Sequence, residues 1–183
     1  MTREEAFQLL KNKIKEENMI KHSLAVEACL RKLAQYFNQD PEKWGMAGLL
    51  NDYDYKEMLP YPEKHGLVAA EELEKLGVDK EITQAIKAHN EKNQTPRITL
   101  LDKAIHCVDP LTGLIVASAL VLPTKKLKDL TIENVINRFH EKRFAQGANR
   151  EIILRCQELG LSLEEFIKIC LEAMQEISDN LGL

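Results

Sequence analysis

Apolar residues recur along this chain at spacings of three and four, and no segment shows the strict alternation of a half-buried strand. Val26, Cys29 and Leu33 fall on one stripe, and so do Ile82, Ala85 and Ile86. This period restricts the chain to an all-α fold, and 183 residues suffice for one domain with a core of its own. Aromatic residues are 5% of the chain, so aliphatic side chains must fill that core.

Start and stop signals divide the pattern. Residues 3–16 read as a first helix, and Asn18 is placed to cap a second that runs to about Phe37. Asp40-Pro41 is a cap followed by proline at the first helical position, so a third helix runs towards Asn51. Asp52 to Pro62, with three tyrosines and two prolines, reads as a loop. A fourth helix is expected over Glu63 to Leu76, with Gly77 past its end, and Asp79 caps a fifth that ends near His89. Residues 99–121 are apolar but contain Pro110, which predicts two pieces or one bent rod. In the tail, Thr131 and Asn149 begin two helices, Gly160 ends the second, and Ser162 with Glu165 forms a capping box for the last.

Composition excludes several classes. Cys29, Cys107, Cys156 and Cys170 form no C-x-x-C pair and lie in apolar patterns, which reads as buried thiols of a reducing, cytoplasmic compartment. The N-terminus lacks an apolar run of signal-peptide type, and Leu111 to Leu122 reads as a core helix too short to cross a membrane. A net charge of -4 argues against nucleic acid as the main partner. Phosphate-cradling glycine loops, G-x-S-x-G and H-E-x-x-H are all absent.

The chemistry-bearing residues sit in unusual places. His22 shares a face with Val26, Cys29 and Leu33, and His65 with Val68, Ala69 and Leu76. His89 follows Ile82, Ala85 and Ile86, Asp109 lies beyond Leu101 and Ile105, and Asp52 ends an apolar helix. Each histidine alone fits a hydrogen-bonded core residue. Aspartate is seldom buried unless paired or metal-bound, and three imidazoles with two carboxylates make a normal coordination sphere for a divalent cation. One shared metal site therefore explains them better than five separate structural roles.

The order His22, Asn51-Asp52, His65, His89, Asp109 resembles the HD superfamily of metal-dependent phosphohydrolases. That family carries a histidine, an adjacent His-Asp pair and a distant aspartate, and in some members further histidines for a second metal. HSLAVEACLRKLA, WGMAGLLNDYDY, HGLVAAEELEKLG, AIKAHN and VDPLTGLIVASALV are similar to one HD subfamily of predicted hydrolases, and so is the tail from Thr131 to Phe166. The resemblance implies a single domain over 1–183, with an HD-like helical bundle at about 18–122 and a helical extension at about 124–183 packed on it. It implies a divalent ion (Mn, Fe, Mg, Ni, Co or Zn) held by His22, Asp52 and Asp109 with His65 and His89, Asp52 being the central catalytic ligand.

Asn51 stands where the family has histidine. Imidazole nitrogen is the better ligand for transition metals. Three outcomes follow: Asn51 ligates through oxygen and favours a harder ion, the primary site is weak and His65, His89 and Asp52 form the stronger cluster, or the fold persists without catalysis. Weakened or absent activity is expected ahead of full activity.

His106 shares a face with Asp109 and reads as a boundary histidine bonded to it or to solvent, and His140 as a surface residue. Lys56, Lys64, Arg97, Lys103, Arg143 and Arg150 are candidate phosphate contacts, with Lys56 and Arg150 the first choices, and Tyr53, Asp54 and Tyr55 are placed for the pocket mouth. The expectation is hydrolysis of a nucleotide or another small phosphorylated metabolite. The alternative is a catalytically inactive HD-fold binding or scaffold protein, and homodimerisation through exposed tail faces fits either.

Overall fold

Thr2 and Glu5 close a capping box that starts α1 (Arg3–Lys13), the first of eleven α-helices in this computed structural model, which describes residues 1–183 and contains no strand. α2 (Glu17–Tyr36) begins one residue before Asn18, with Glu16 at the cap position and no side-chain cap bond, so the expected Asn18 cap is not formed. Asp40 does cap α3 (Pro41–Leu50), accepting from the Glu42 and Lys43 amides.

The stretch expected as a loop contains one short helix, α4 (Tyr55–Met58). α5 (Leu67–Lys75) starts later than the expected Glu63, because Gly66 sits at φ 83° and breaks the helical path. α6 (Lys80–His89) is capped by Asp79 as expected. α7 (Leu100–Leu120) is one helix through Pro110. An interior proline costs roughly 3 kcal/mol, and here Ile105, Val108, Leu111, Leu114 and Ile115 are all fully buried and anchor both halves in the core. α7 is long and apolar enough to cross a membrane by composition, with a mean hydropathy of 1.3, yet 61% of that window is buried inside the fold.

The tail supplies α8 (Ile132–His140), α9 (Arg150–Leu154), α10 (Leu163–Glu176) and α11 (Ser178–Leu181). The helix expected over Asn149 to Leu159 tightens to a 3-10 turn after Leu154 and ends at Gly160, in left-handed geometry. α10 packs on α2, α7 and α8, α9 packs on α7, and one hydrophobic cluster of 45 buried residues runs through the bundle and the tail. All four cysteines are free and buried.

One close approach positions the site. A Cβ on Gly48 would lie 2.8 Å from the Glu27 amide nitrogen and 2.9 Å from its Cα. Glycine there lets α3 lie directly on α2, which brings the end of α3, Asn51-Asp52, beside His22.

Candidate metal centre

Five side chains converge from five places in the bundle. His22 comes from α2, Asp52 from the turn after α3, His89 from the last residue of α6 and Asp109 from α7. His65 stands just before α5 rather than on it. Asp52 is at the centre. Its Oδ2 lies 3.3 Å from His22 Nε2, and its Oδ1 lies 3.1 Å from His65 Nε2 and 3.8 Å from His89 Nε2. His22 Nε2 is also 2.9 Å from Asp109 Oδ1. The result is two metal-sized groups, His22–Asp52–Asp109 and Asp52–His65–His89, that share Asp52.

The partners of the other ring nitrogens fix what these groups offer. His65 Nδ1 lies 2.7 Å from Asp54 Oδ1, and His89 Nδ1 lies 2.5 Å from the Ile86 carbonyl oxygen. Both partners only accept, so Nδ1 carries the hydrogen in each ring. The Thr112 hydroxyl donates to the Asp109 carbonyl and so accepts from His22 Nδ1 at 3.2 Å. In the neutral rings every Nε2 therefore presents a lone pair to the site. His65 Nε2 and His89 Nε2 face each other across 3.0 Å beside a carboxylate oxygen. Three acceptors converging twice are matched by a cation or by protons on the rings, and imidazoles oriented by carboxylate and carbonyl partners are the usual arrangement at a metal. The residues fit a divalent ion.

Comparison with known proteins identifies the family. The HD domain family model matches residues 19–114, more than half of the chain. This chain belongs to the HD-domain family. Ribonuclease Y of Nitratidesulfovibrio vulgaris strain DP4 is 29% identical over 170 residues, covering 90% of this chain and 32% of that protein. Ribonuclease Y of Lawsonia intracellularis is 26% identical over 168 residues, with the same coverage. The chain thus spans about a third of the length of these relatives. No solved structure matches.

Within this HD domain, Asn51 occupies the position of the missing histidine and is fully buried. Its Nδ2 donates to Asp109 Oδ1 at 3.1 Å, while its Oδ1 is buried with no hydrogen-bond partner. Asn51 thus steadies one ligand of the His22 group and leaves that group one imidazole short of the family pattern. The Asp52–His65–His89 group holds two imidazoles and one carboxylate.

Protons stand in for the metal in the electrostatics. Burial opposes a charge on His22, but Asp109 and Asp52 outweigh it and push the ring up to about 10. Burial likewise opposes charge on His65, and Asp52 and Asp54 push it up to about 9. Burial disfavours ionised Asp52 as well, yet the His22 and His65 hydrogen bonds hold it well below the usual carboxylate range. Burial, reinforced by the charge on His65, lowers His89.

The residues around the centre divide sharply. Asp54, expected at the pocket mouth, is instead fully buried and accepts from the Gly66 and Ala69 amides at 3.0 and 2.8 Å as well as from His65. His106 is not at the boundary and does not reach Asp109. It is 1% exposed, and its Nδ1 donates 2.8 Å to the His89 carbonyl, so it braces the backbone behind His89. His140 is exposed, as expected.

A cleft of about 720 Å³ opens over the site, lined by Tyr55, Glu91, Lys92 and Asn149 among others. Tyr55 is at the mouth as expected, whereas Tyr53 is buried beneath the Lys13 ammonium. Lys56 pairs with Glu16 and does not line the cleft. Arg150 donates to five backbone carbonyls, two at the end of α8 and three in the segment between α8 and α9, which leaves it no hydrogen for a substrate. Neither residue is brought to the site as expected. The cation that does line the cleft is Lys92, on a 3-10 turn that no periodic pattern marks. Thr112 was also missed, although its place three residues after Asp109 puts both on one helix face.

Proposed function

We propose that the cleft hydrolyses a phosphate ester of a nucleotide or another small phosphorylated metabolite, with divalent metal held by His22, Asp52, Asp109, His65 and His89. The observation that carries this reading is the division of Asp52, whose Oδ2 faces His22 and whose Oδ1 faces His65 and His89. When bound, divalent ions polarise a phosphoryl oxygen and acidify water. The chain's own part is to hold Asp52 ionised as the shared ligand, to fix three imidazole tautomers through Asp54, Ile86 and Thr112, and to admit substrate past Tyr55 and Lys92.

The relatives named Ribonuclease Y support a phosphodiester of nucleotide type. Small substrates are favoured over long RNA, because the chain carries a net charge of -4 and the cleft is lined by a single lysine, whereas a polynucleotide track is strongly basic. A second reading rests on Asn51, whose amide hydrogen is committed to Asp109. On that reading the chain is a binding or scaffold protein of HD fold without catalysis.

One experiment separates these. Protein purified without chelators is assayed for metal content and for turnover of nucleotides, small phosphate esters and a short oligoribonucleotide, as wild type and as Asn51→His. Metal with turnover of a small ester supports the hydrolase. Activity only in the Asn51→His protein supports the scaffold reading, and preference for the oligoribonucleotide overturns the substrate class.

A further inference from the structure

The segment between α8 and α9 runs irregularly over residues 141–149, with Ala145 held at φ 44° in the left-handed region. Arg150 organises it. Its Nε donates to Phe139 O, one terminal nitrogen to Ala145 O and Ala148 O, and the other to Arg138 O and Phe144 O, at 2.6 to 3.2 Å. All five guanidinium hydrogens are used, and no carboxylate pairs with the charge.

A trans peptide directs its carbonyl and its N–H in opposite directions. The Phe144, Ala145 and Ala148 carbonyls turn towards Arg150, so the N–H groups of Ala145, Gln146 and Asn149 turn away from it. These three, with the Gly147 N–H, donate to no protein acceptor. The same segment forms a wall of the metal centre. Gly147 and Asn149 line the main cleft, and Ala145, Gly147 and Ala148 line a second opening of about 380 Å³ that also reaches His22 and Asp109. Successive free peptide N–H groups in a turn, here backed by the half-buried Arg150 guanidinium, form an anion-binding concavity.

We propose that residues 145–149, clamped by Arg150, form a backbone cradle for a phosphate oxygen of the substrate on the His22–Asp109 side of the metal centre. Arg150 is then a positioning residue: it acts through the loop and touches no substrate. The proposal rests on the phosphoester reading above, and its test is independent of turnover.

The full chain, ¹⁵N-labelled and zinc-loaded with excess zinc removed, is titrated with inorganic phosphate. The amide resonances of Gln146, Gly147 and Asn149 should shift together and saturate. Arg150→Lys keeps the charge but cannot span five carbonyls, and with Arg150→Ala it should weaken phosphate binding by roughly tenfold, the worth of one charge-assisted hydrogen bond, with zinc stoichiometry unchanged. Full phosphate affinity in both variants, or wild-type saturation that leaves these amides unmoved, overturns the cradle. Should the variants unfold, the wild-type titration decides alone. A chain that takes up no zinc overturns the metal reading only, and the same amides in the metal-free protein then decide the cradle.

Discussion

Asn51 Nδ2 donates to Asp109 Oδ1 across 3.1 Å, and the amide oxygen of Asn51 is buried without a partner. Asn51 thus supports the His22–Asp52–Asp109 group without adding an imidazole to it, and the two metal groups should fill unequally. Calorimetric titration of wild type is expected to show one tight site, lost in His65→Ala and retained in His22→Ala. Asn51→His should tighten the second site by at least about tenfold. The larger ring enters a fully buried position, so the metal-free variant should lose about 1–3 kcal/mol of stability. Two equal sites in wild type would sink the argument.

Asp54 connects the tight group to the fold. It is fully buried, orients His65 and receives the Gly66 and Ala69 amides. Asp54→Asn keeps the shape but turns one acceptor into a donor that faces existing donors. The expected outcome is a loss of about 10–100-fold in affinity at Asp52–His65–His89, with the His22 group unchanged. Metal competition against a chromogenic chelator measures it, and an unchanged tight site would exclude Asp54 from this role.

Much of this was legible in the sequence. The caps at Asp40, Asp79, Thr131, Asn149 and Ser162 all form, because capping is local chemistry that a few adjacent residues determine. His22, Asp52, His65, His89 and Asp109 converge because polar groups on apolar faces have few places to go. Long-range facts were not legible. Whether Arg150 faces a substrate or five carbonyls depends on the path of a loop with no period. His106 was misplaced because the burial of its face is set by the tail's packing, and Lys92 because a 3-10 turn leaves no periodic trace.

The metal-free protein should respond to alkali in a set direction. His22 and His65 are pushed up to about 10 and about 9, above the unfolded value near 6.5. Their protonation therefore stabilises the fold fully below about pH 6.5, and that contribution disappears as pH rises through 9 to 10. Chemical denaturation in chelator should show stability falling between pH 7 and 10. Zinc-loaded protein, whose ligands are already deprotonated, should fall less. For the same reason metal binding at pH 7 should release protons, seen as a buffer-dependent binding enthalpy. Equal alkaline losses with and without zinc would rule this out.

Gly66 links the backbone to the chemistry most directly. Its φ of 83° is left-handed, and a Cβ there would lie 2.7 Å from the Ile86 carbonyl oxygen and 3.5 Å from His89 Cε1. That carbonyl is the acceptor that sets the tautomer of His89. Gly66→Ala should therefore cost about 1–2 kcal/mol for the left-handed backbone alone, with the contact adding to it. It should also displace the Ile86 carbonyl and weaken the His89 group, although alanine carries no charge and touches no ligand atom. Gly113→Ala provides the contrast, since nothing lies within 4 Å of its Cβ and its φ is not left-handed. In an exposed helical position that change should stabilise by up to about 1 kcal/mol. Thermal melts with and without zinc separate the two effects. Gly66→Ala should lower the melting temperature and shrink the zinc-induced rise, whereas a lower melting temperature with an undiminished rise would show that Gly66 serves the fold alone.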